Sequence, residues 1–122
     1  MNLEDAEGRL TTHVLDTMHG WPAAGMAIEL LRVENGVTEP VLSTRTNADG
    51  RCDAPLLAGD AFTAGAYELR FHVGAYFRRT GVHGEPAFLE VVPVRFSVGD
   101  PDAHYHVPLL VAPYAYSTYR GS

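Results

Sequence analysis

HYHVPLLV (residues 104–111) carries Tyr105, Val107, Leu109 and Val111 at every second position, an unbroken apolar row. On a strand, side chains two apart point to one side, so this row is the inner face of a sheet. The other row is His104, His106, Pro108 and Leu110. A solvated face does not set leucine and proline beside two imidazoles. That row reads as the wall of a pocket or as a surface covered by another subunit.

The same alternation extends through most of the chain. AYELRFHV (66–73) sets Tyr67, Leu69, Phe71 and Val73 against Glu68, Arg70 and His72, a strand with one wet face. TTHVLDTM (11–18), MAIELLRV (26–33), PVLSTRT (40–46), FLEVVPVRFSV (88–98) and YAYSTY (114–119) read as further strands. Turn-rich stretches separate them, the strongest being NADG (47–50) with its Asp49-Gly50 pair. GAYFRRTGVHG (74–84), bounded by glycines, is the one stretch that predicts a short helix. Seven to eight short strands with one short helix predict an all-β antiparallel sandwich. Pro93 and Pro108 inside strand-like runs point to edges, bulges or positions whose backbone nitrogen faces away from a partner.

A chain of 122 residues, 46% hydrophobic and 20% charged, is one globular domain rather than a disordered segment. Its 15 acidic residues face nine arginines and no lysine, for a net charge of −6. That balance argues against nucleic acid or an anionic membrane as partner, since both demand a basic field. The single cysteine, Cys52, excludes an internal disulfide framework. MNLEDAEGRL lacks the basic start and apolar stretch of a secretory signal, and no run approaches membrane-spanning length. The expectation is a soluble cytoplasmic protein.

Several residues have side chains capable of chemistry. His104-x-His106 could hold a metal only with a further ligand, and residues 107–113 offer no His, Cys, Asp or Glu. His104 then reads as an ordinary hydrated surface histidine, as do His19, His72 and His83. His13 sits mid-strand with Leu15 next on its own face, where an imidazole costs desolvation unless it has a partner or a task. Taken alone, it is a satisfied structural histidine or a catalytic one. Arg51, just past the Asp49-Gly50 turn, is by itself a solvated charge. No nucleophile elbow, phosphate loop or paired catalytic carboxylates stand out. The closing YSTYRGS (116–122) follows directly on a strand and predicts a packed terminus rather than a frayed one.

TTHVLD (11–16), TNADGR (46–51), HYHVPLL (104–110) and the terminal YRGS (119–122) together resemble the 5-hydroxyisourate hydrolases, the transthyretin-related enzymes of urate degradation. The motifs fall in family order, and YRGS is the specific one. HGWPAAG and FLEVVPVRF depart from the commonest family wording without touching the motif residues. The resemblance covers the chain from about residue 9, leaving residues 1–8 as a flexible N-terminal extension and 9–122 as a transthyretin-like hydrolase domain. It implies a transthyretin-like (prealbumin-like) sandwich assembled as a homotetramer, a dimer of dimers, with sites in a channel between dimers.

The implied reaction is hydrolysis of 5-hydroxyisourate, a small-molecule substrate, to 2-oxo-4-hydroxy-4-carboxy-5-ureidoimidazoline. The resemblance implies His13, Arg51 and His106 as catalytic residues and Tyr119, Arg120, Gly121 and Ser122 as substrate-binding. Water attacks a lactam carbonyl, one imidazole of His13 and His106 moves the proton, and Arg51 stabilises the oxyanion. Tyr119 and Ser122 close the site and orient the substrate. No metal or cofactor is called for. The alternative from another class is a transthyretin-type carrier of a small ligand without catalysis, which has no use for the His/Arg/His set or the YRGS ending.

Overall fold

Strand β1 (Arg9–Asp16) buries Leu10, Thr12, Val14 and Asp16 and turns Arg9, Thr11, His13 and Leu15 outward. The same two-residue period shapes the rest of the chain, of which the computed structural model describes residues 8–82 and 84–121. After β1 come β2 (Trp21–Pro22), β3 (Ala27–Glu34), β4 (Val37–Arg45), β5 (Leu57–Ala58) and β6 (Gly65–Phe71). The α-helix α1 (Val73–Arg79), the one α-helix among the described residues, precedes β7 (Val92–Val98), β8 (His104–Ala112) and β9 (Ala115–Thr118). One sheet runs β2-β1-β8-β9 with β5 also paired to β1; the other runs β4-β3-β6-β7. The product is the all-β sandwich that alternation predicts. Its inner rows, among them Val14, Ile28, Leu69, Phe71, Val92 and Leu109, are fully buried. Each such side chain contributes on the order of 1.5–3 kcal/mol.

One pairing is not of the expected kind. β1 and β8 run parallel, with Arg9 opposite His104, Thr11 opposite His106 and His13 opposite Pro108. The intervening chain builds the whole second sheet before returning, which gives the long crossover that a parallel pair requires.

Pro93 lies on β7, an edge strand, as expected. Pro108 does not: β8 is an interior strand. The Gly121 N–H donates to the His106 carbonyl, so residues 106 and 108 present their backbone toward β9. Residue 108 has no N–H to give, and regular pairing stops at Leu109–Thr118, resuming only at the His106–Gly121 bridge.

Helix α1 starts one residue before the predicted stretch and ends at Thr80, next to Gly81 with φ +94°. It lays Tyr76 over the sandwich, where its hydroxyl donates to buried Asp16 at 2.7 Å. Gly8, placed by the sequence reading in a flexible extension, is buried so tightly against Pro101 that a side chain could not fit. The remainder of that extension, residues 1–7, lies outside the described residues, as do His83 and Ser122.

Candidate active site

The outer face of the β1–β8 pair is one continuous surface. Thr11 stands beside His106 and His13 beside Pro108, with Leu15 and Leu110 beyond them. The turn after β4 brings a guanidinium to this surface. Asn47 Oδ1 accepts the N–H groups of Asp49 (2.9 Å) and Arg51 (3.1 Å), and Asn47 N–H donates to the Arg51 carbonyl at 2.7 Å. Gly50 adopts φ +75° and packs so close that a Cβ would stand 2.4 Å from the Val14 carbonyl oxygen. Only glycine meets both demands. Its carbonyl takes the Val14 N–H at 2.8 Å, and His13 and Arg51 form an isolated antiparallel bridge. TNADGR is therefore a device for docking Arg51 onto β1.

His13 is half-buried, and its Nε2–H donates to the Asp49 carbonyl at 2.9 Å. In the neutral ring that bond leaves Nδ1 as an acceptor. His106 turns Nδ1 to the Thr11 hydroxyl at 2.8 Å, and His104 turns Nε2 to the same oxygen at 2.7 Å. Burial holds the His106 imidazole below its ordinary proton affinity, helped electrostatically by nearby His104, Arg51 and His13. Burial, then Arg9, does the same for His104. Both rings are accordingly neutral at neutral pH, the state in which an imidazole can accept a proton.

His104, expected to be a hydrated bystander, is a half-buried member of this cluster. Thr11 escaped the sequence reading altogether. Its outward position two residues before His13 was visible, but its neighbours 93 and 95 residues away were not.

Thr11, His104, His106, Arg9 and Arg51 line a cavity of about 360 Å³, closed on one side by Cys52 to Pro55. Burial, with the neighbouring Asp53 carboxylate, pushes the Cys52 thiol up, so Cys52 is a protonated wall and not a nucleophile. Among the described residues no group of three or more His, Cys, Asp or Glu side chains gathers with metal-binding geometry.

The tail continues the β9 register past its break, so that Tyr119 falls opposite Pro108 and Gly121 opposite His106. Gly121 thus joins the histidine face, while Tyr119, although level with Pro108, is exposed and borders the groove that holds Arg120. Arg120 points the other way. Its guanidinium sits 4.1 Å above the ring of Tyr105, an inner-face residue, in a separate groove with Arg95, Phe96 and Thr118. Of the predicted set, the fold brings His13, Arg51, His106 and Gly121 to one face, leaves Tyr119 exposed at the border of the Arg120 groove, and turns Arg120 away from the histidines.

Comparison with known proteins gives the family. Residues 10–121 match the HIUase/Transthyretin family. The 5-hydroxyisourate hydrolase of Ralstonia nicotianae is 60% identical over 116 residues, covering 94% of this chain and 99% of that protein. The crystal structure of (S)-allantoin synthase superposes with a TM-score of 0.90 at 47% identity, over 98% of this chain but only 45% of that longer one. Sea bream transthyretin in complex with thyroxine superposes at 0.82 with 28% identity, covering 93% of this chain and 94% of that one.

Proposed function

The chain belongs to the HIUase/Transthyretin family, and we propose that His13, Arg51 and His106 carry its reaction. Its activity is the hydrolysis of 5-hydroxyisourate, a step of urate degradation. The observation that carries the assignment is the meeting of Arg51 with His106 and His104 in one cavity, which His13 adjoins through its backbone bridge to Arg51.

Water attacks the lactam carbonyl while His106 takes its proton at Nε2, the ring nitrogen opposite the one bonded to Thr11. The Arg51 guanidinium stabilises the negative charge that develops on the carbonyl oxygen. The carbon–nitrogen bond then breaks, and the proton held by the imidazole goes to the departing nitrogen. His13, its Nε2 committed to Asp49, offers Nδ1 to a substrate N–H and holds the ring in place. Tyr119, exposed in the single chain, closes over the substrate.

Half-buried Leu15 and Leu110 and exposed Tyr119 leave an apolar patch beside the site, and a second copy of the chain covers it in the homotetramer we infer. The working unit is residues 9–122, acting in the cytoplasm. A carrier, the other reading, has no need of a neutral imidazole beside a guanidinium.

Generating 5-hydroxyisourate in place with urate oxidase, and following its ultraviolet decay, tests the assignment. The protein should speed the decay, exhaustive chelation should not slow it, and His106→Asn or Arg51→Met should abolish most of the acceleration. Activity lost to chelator and restored by zinc would overturn the metal-free mechanism. Full activity in both variants would overturn the residue assignment.

A further inference from the structure

We propose that Thr11 and His104 form a proton relay behind His106, carrying a proton between His106 Nδ1 and His104 Nε2 through the Thr11 hydroxyl. The proposal rests on the reading of His106 as the proton acceptor. Its basis is one oxygen shared by two imidazoles: Thr11 Oγ1 lies 2.7 Å from His104 Nε2 and 2.8 Å from His106 Nδ1. The ring centroids stand 6.0 Å apart, tilted by 55°, and each ring turns a nitrogen to that oxygen.

The hydroxyl has one proton to donate, so it donates to one ring and accepts from the other. The two tautomers are therefore coupled. For His106 to have a bare Nε2, its proton must sit on Nδ1 and be donated to Thr11. Thr11 must then donate to His104 Nε2, and the His104 proton sits on Nδ1. The cluster is thus a directed chain from His106 through Thr11 to His104.

When water attacks, its proton binds His106 Nε2. The Nδ1 proton passes to Thr11 Oγ1, and the original Thr11 proton passes to His104 Nε2. His106 is left neutral with its proton on Nε2, already the donor needed by the departing nitrogen. The added charge rests on His104, two residues further along β8. When Nε2 gives up its proton to the leaving group, the three transfers reverse and the resting tautomers return. Every proton is accounted for, and no further reactant enters. Burial and the neighbouring Arg9 make His104 a weak holder, so it returns the proton rather than trapping it.

The competing role is a plain clamp that fixes the His106 ring. Three variants separate the two, compared by kcat, KM and rate in mixtures of light and heavy water. Thr11→Val keeps the shape and removes the hydroxyl; its kcat should fall about 10–100-fold, the lower part of the acid–base range, with KM little changed. Thr11→Ser should recover most of that loss. His104→Gln can still hydrogen-bond Thr11 but cannot take up a proton, so a clamp survives it and a relay does not; its kcat should fall like that of Thr11→Val.

The unaltered enzyme should show a curved dependence of rate on deuterium fraction, from several protons in motion, and Thr11→Val a straight one. Near-native kcat in Thr11→Val or His104→Gln, with His106→Asn inactive, overturns the relay and leaves the site assignment standing. Full activity in His106→Asn overturns both. Equal losses in Thr11→Ser and Thr11→Val overturn the relay, because the hydroxyl is then not what matters.

Discussion

The His106 ring occupies the space that a side chain on Gly121 would need: a Cβ there would stand 2.6 Å from His106 Cδ2. The two residues are also joined through the backbone, Gly121 N–H donating to the His106 carbonyl at 2.8 Å. The ring cannot swing aside freely, because Thr11 holds its Nδ1. Gly121→Ala should therefore displace either the ring or the tail. A shift of about 1 Å at a reacting group costs up to about 100-fold, and kcat/KM should fall on that scale with little change in thermal midpoint. Native kcat/KM in this variant would mean that the tail does not position His106.

Arg51 should act on both rate and pH dependence. Burial first, and then His104, Arg51 and His13, lower the proton affinity of His106. Activity needs the neutral ring, so the acid limb of kcat/KM should lie below the ordinary imidazole value. Removing the Arg51 charge relieves part of the depression, and the limb should move to higher pH. Arg51→Met should lower kcat by about 100-fold or more, the scale of a lost oxyanion donor, and shift the limb upward. Arg51→Lys should keep the limb where it was. A limb unmoved in Arg51→Met would place the guanidinium away from His106.

The tail residues should separate by face. Arg120 lies over Tyr105 on the inner side, and Arg120→Ala should cost about 0.5–1 kcal/mol of stability with most turnover retained. Deleting residues 119–122 removes Tyr119 and Gly121 as well and should cut turnover far more than it lowers the thermal midpoint. Turnover as low in Arg120→Ala as in the deletion would return Arg120 to the site.

Asp16 should govern acid stability. Burial raises its pKa, but the His19 backbone N–H (2.9 Å), the Tyr76 hydroxyl (2.7 Å) and the His19 ring (2.6 Å) more than offset this and hold the carboxyl below its ordinary value. Burial, with the hydrogen bond to Asp16, pushes Tyr76 up to about 12. A carboxylate whose folded pKa lies below its unfolded one contributes stability above the ordinary carboxylate range, and this is lost as pH falls through the folded value. Asp16→Asn should cost about 1–3 kcal/mol at neutral pH and flatten the acid decline, read from urea midpoints across pH. Equal acid slopes for the two proteins would remove Asp16 as the cause.

Strand identity and facing were legible in the sequence because Cβ alternation is a property of the local backbone. Tyr105, Val107, Leu109 and Val111 had to share one face and His104, His106, Pro108 and Leu110 the other, whatever the strand packed against. The Asp49-Gly50 turn before Arg51 was legible for the same reason: its backbone needs are met within a few residues. The family motifs then pointed to the reaction and to His13, Arg51 and His106 as its carriers.

Register between distant segments was not legible. That Thr11 lies beside His106, 95 residues on, follows from a parallel pairing of β1 with β8 that no local period encodes. Sliding β8 by two residues along β1 would preserve every inward row and yet separate Thr11 from His106. The packed sandwich chooses among such registers by fitting all its inner side chains at once. His104 therefore looked like a hydrated neighbour in the sequence and became a partner of Thr11 only in the fold. Arg120 illustrates the same division. Its neighbours Tyr119 and Gly121 have their own parity, so alternation put it on the opposite side, but only the continuation of the β9 register along β8 decided which side held the histidines.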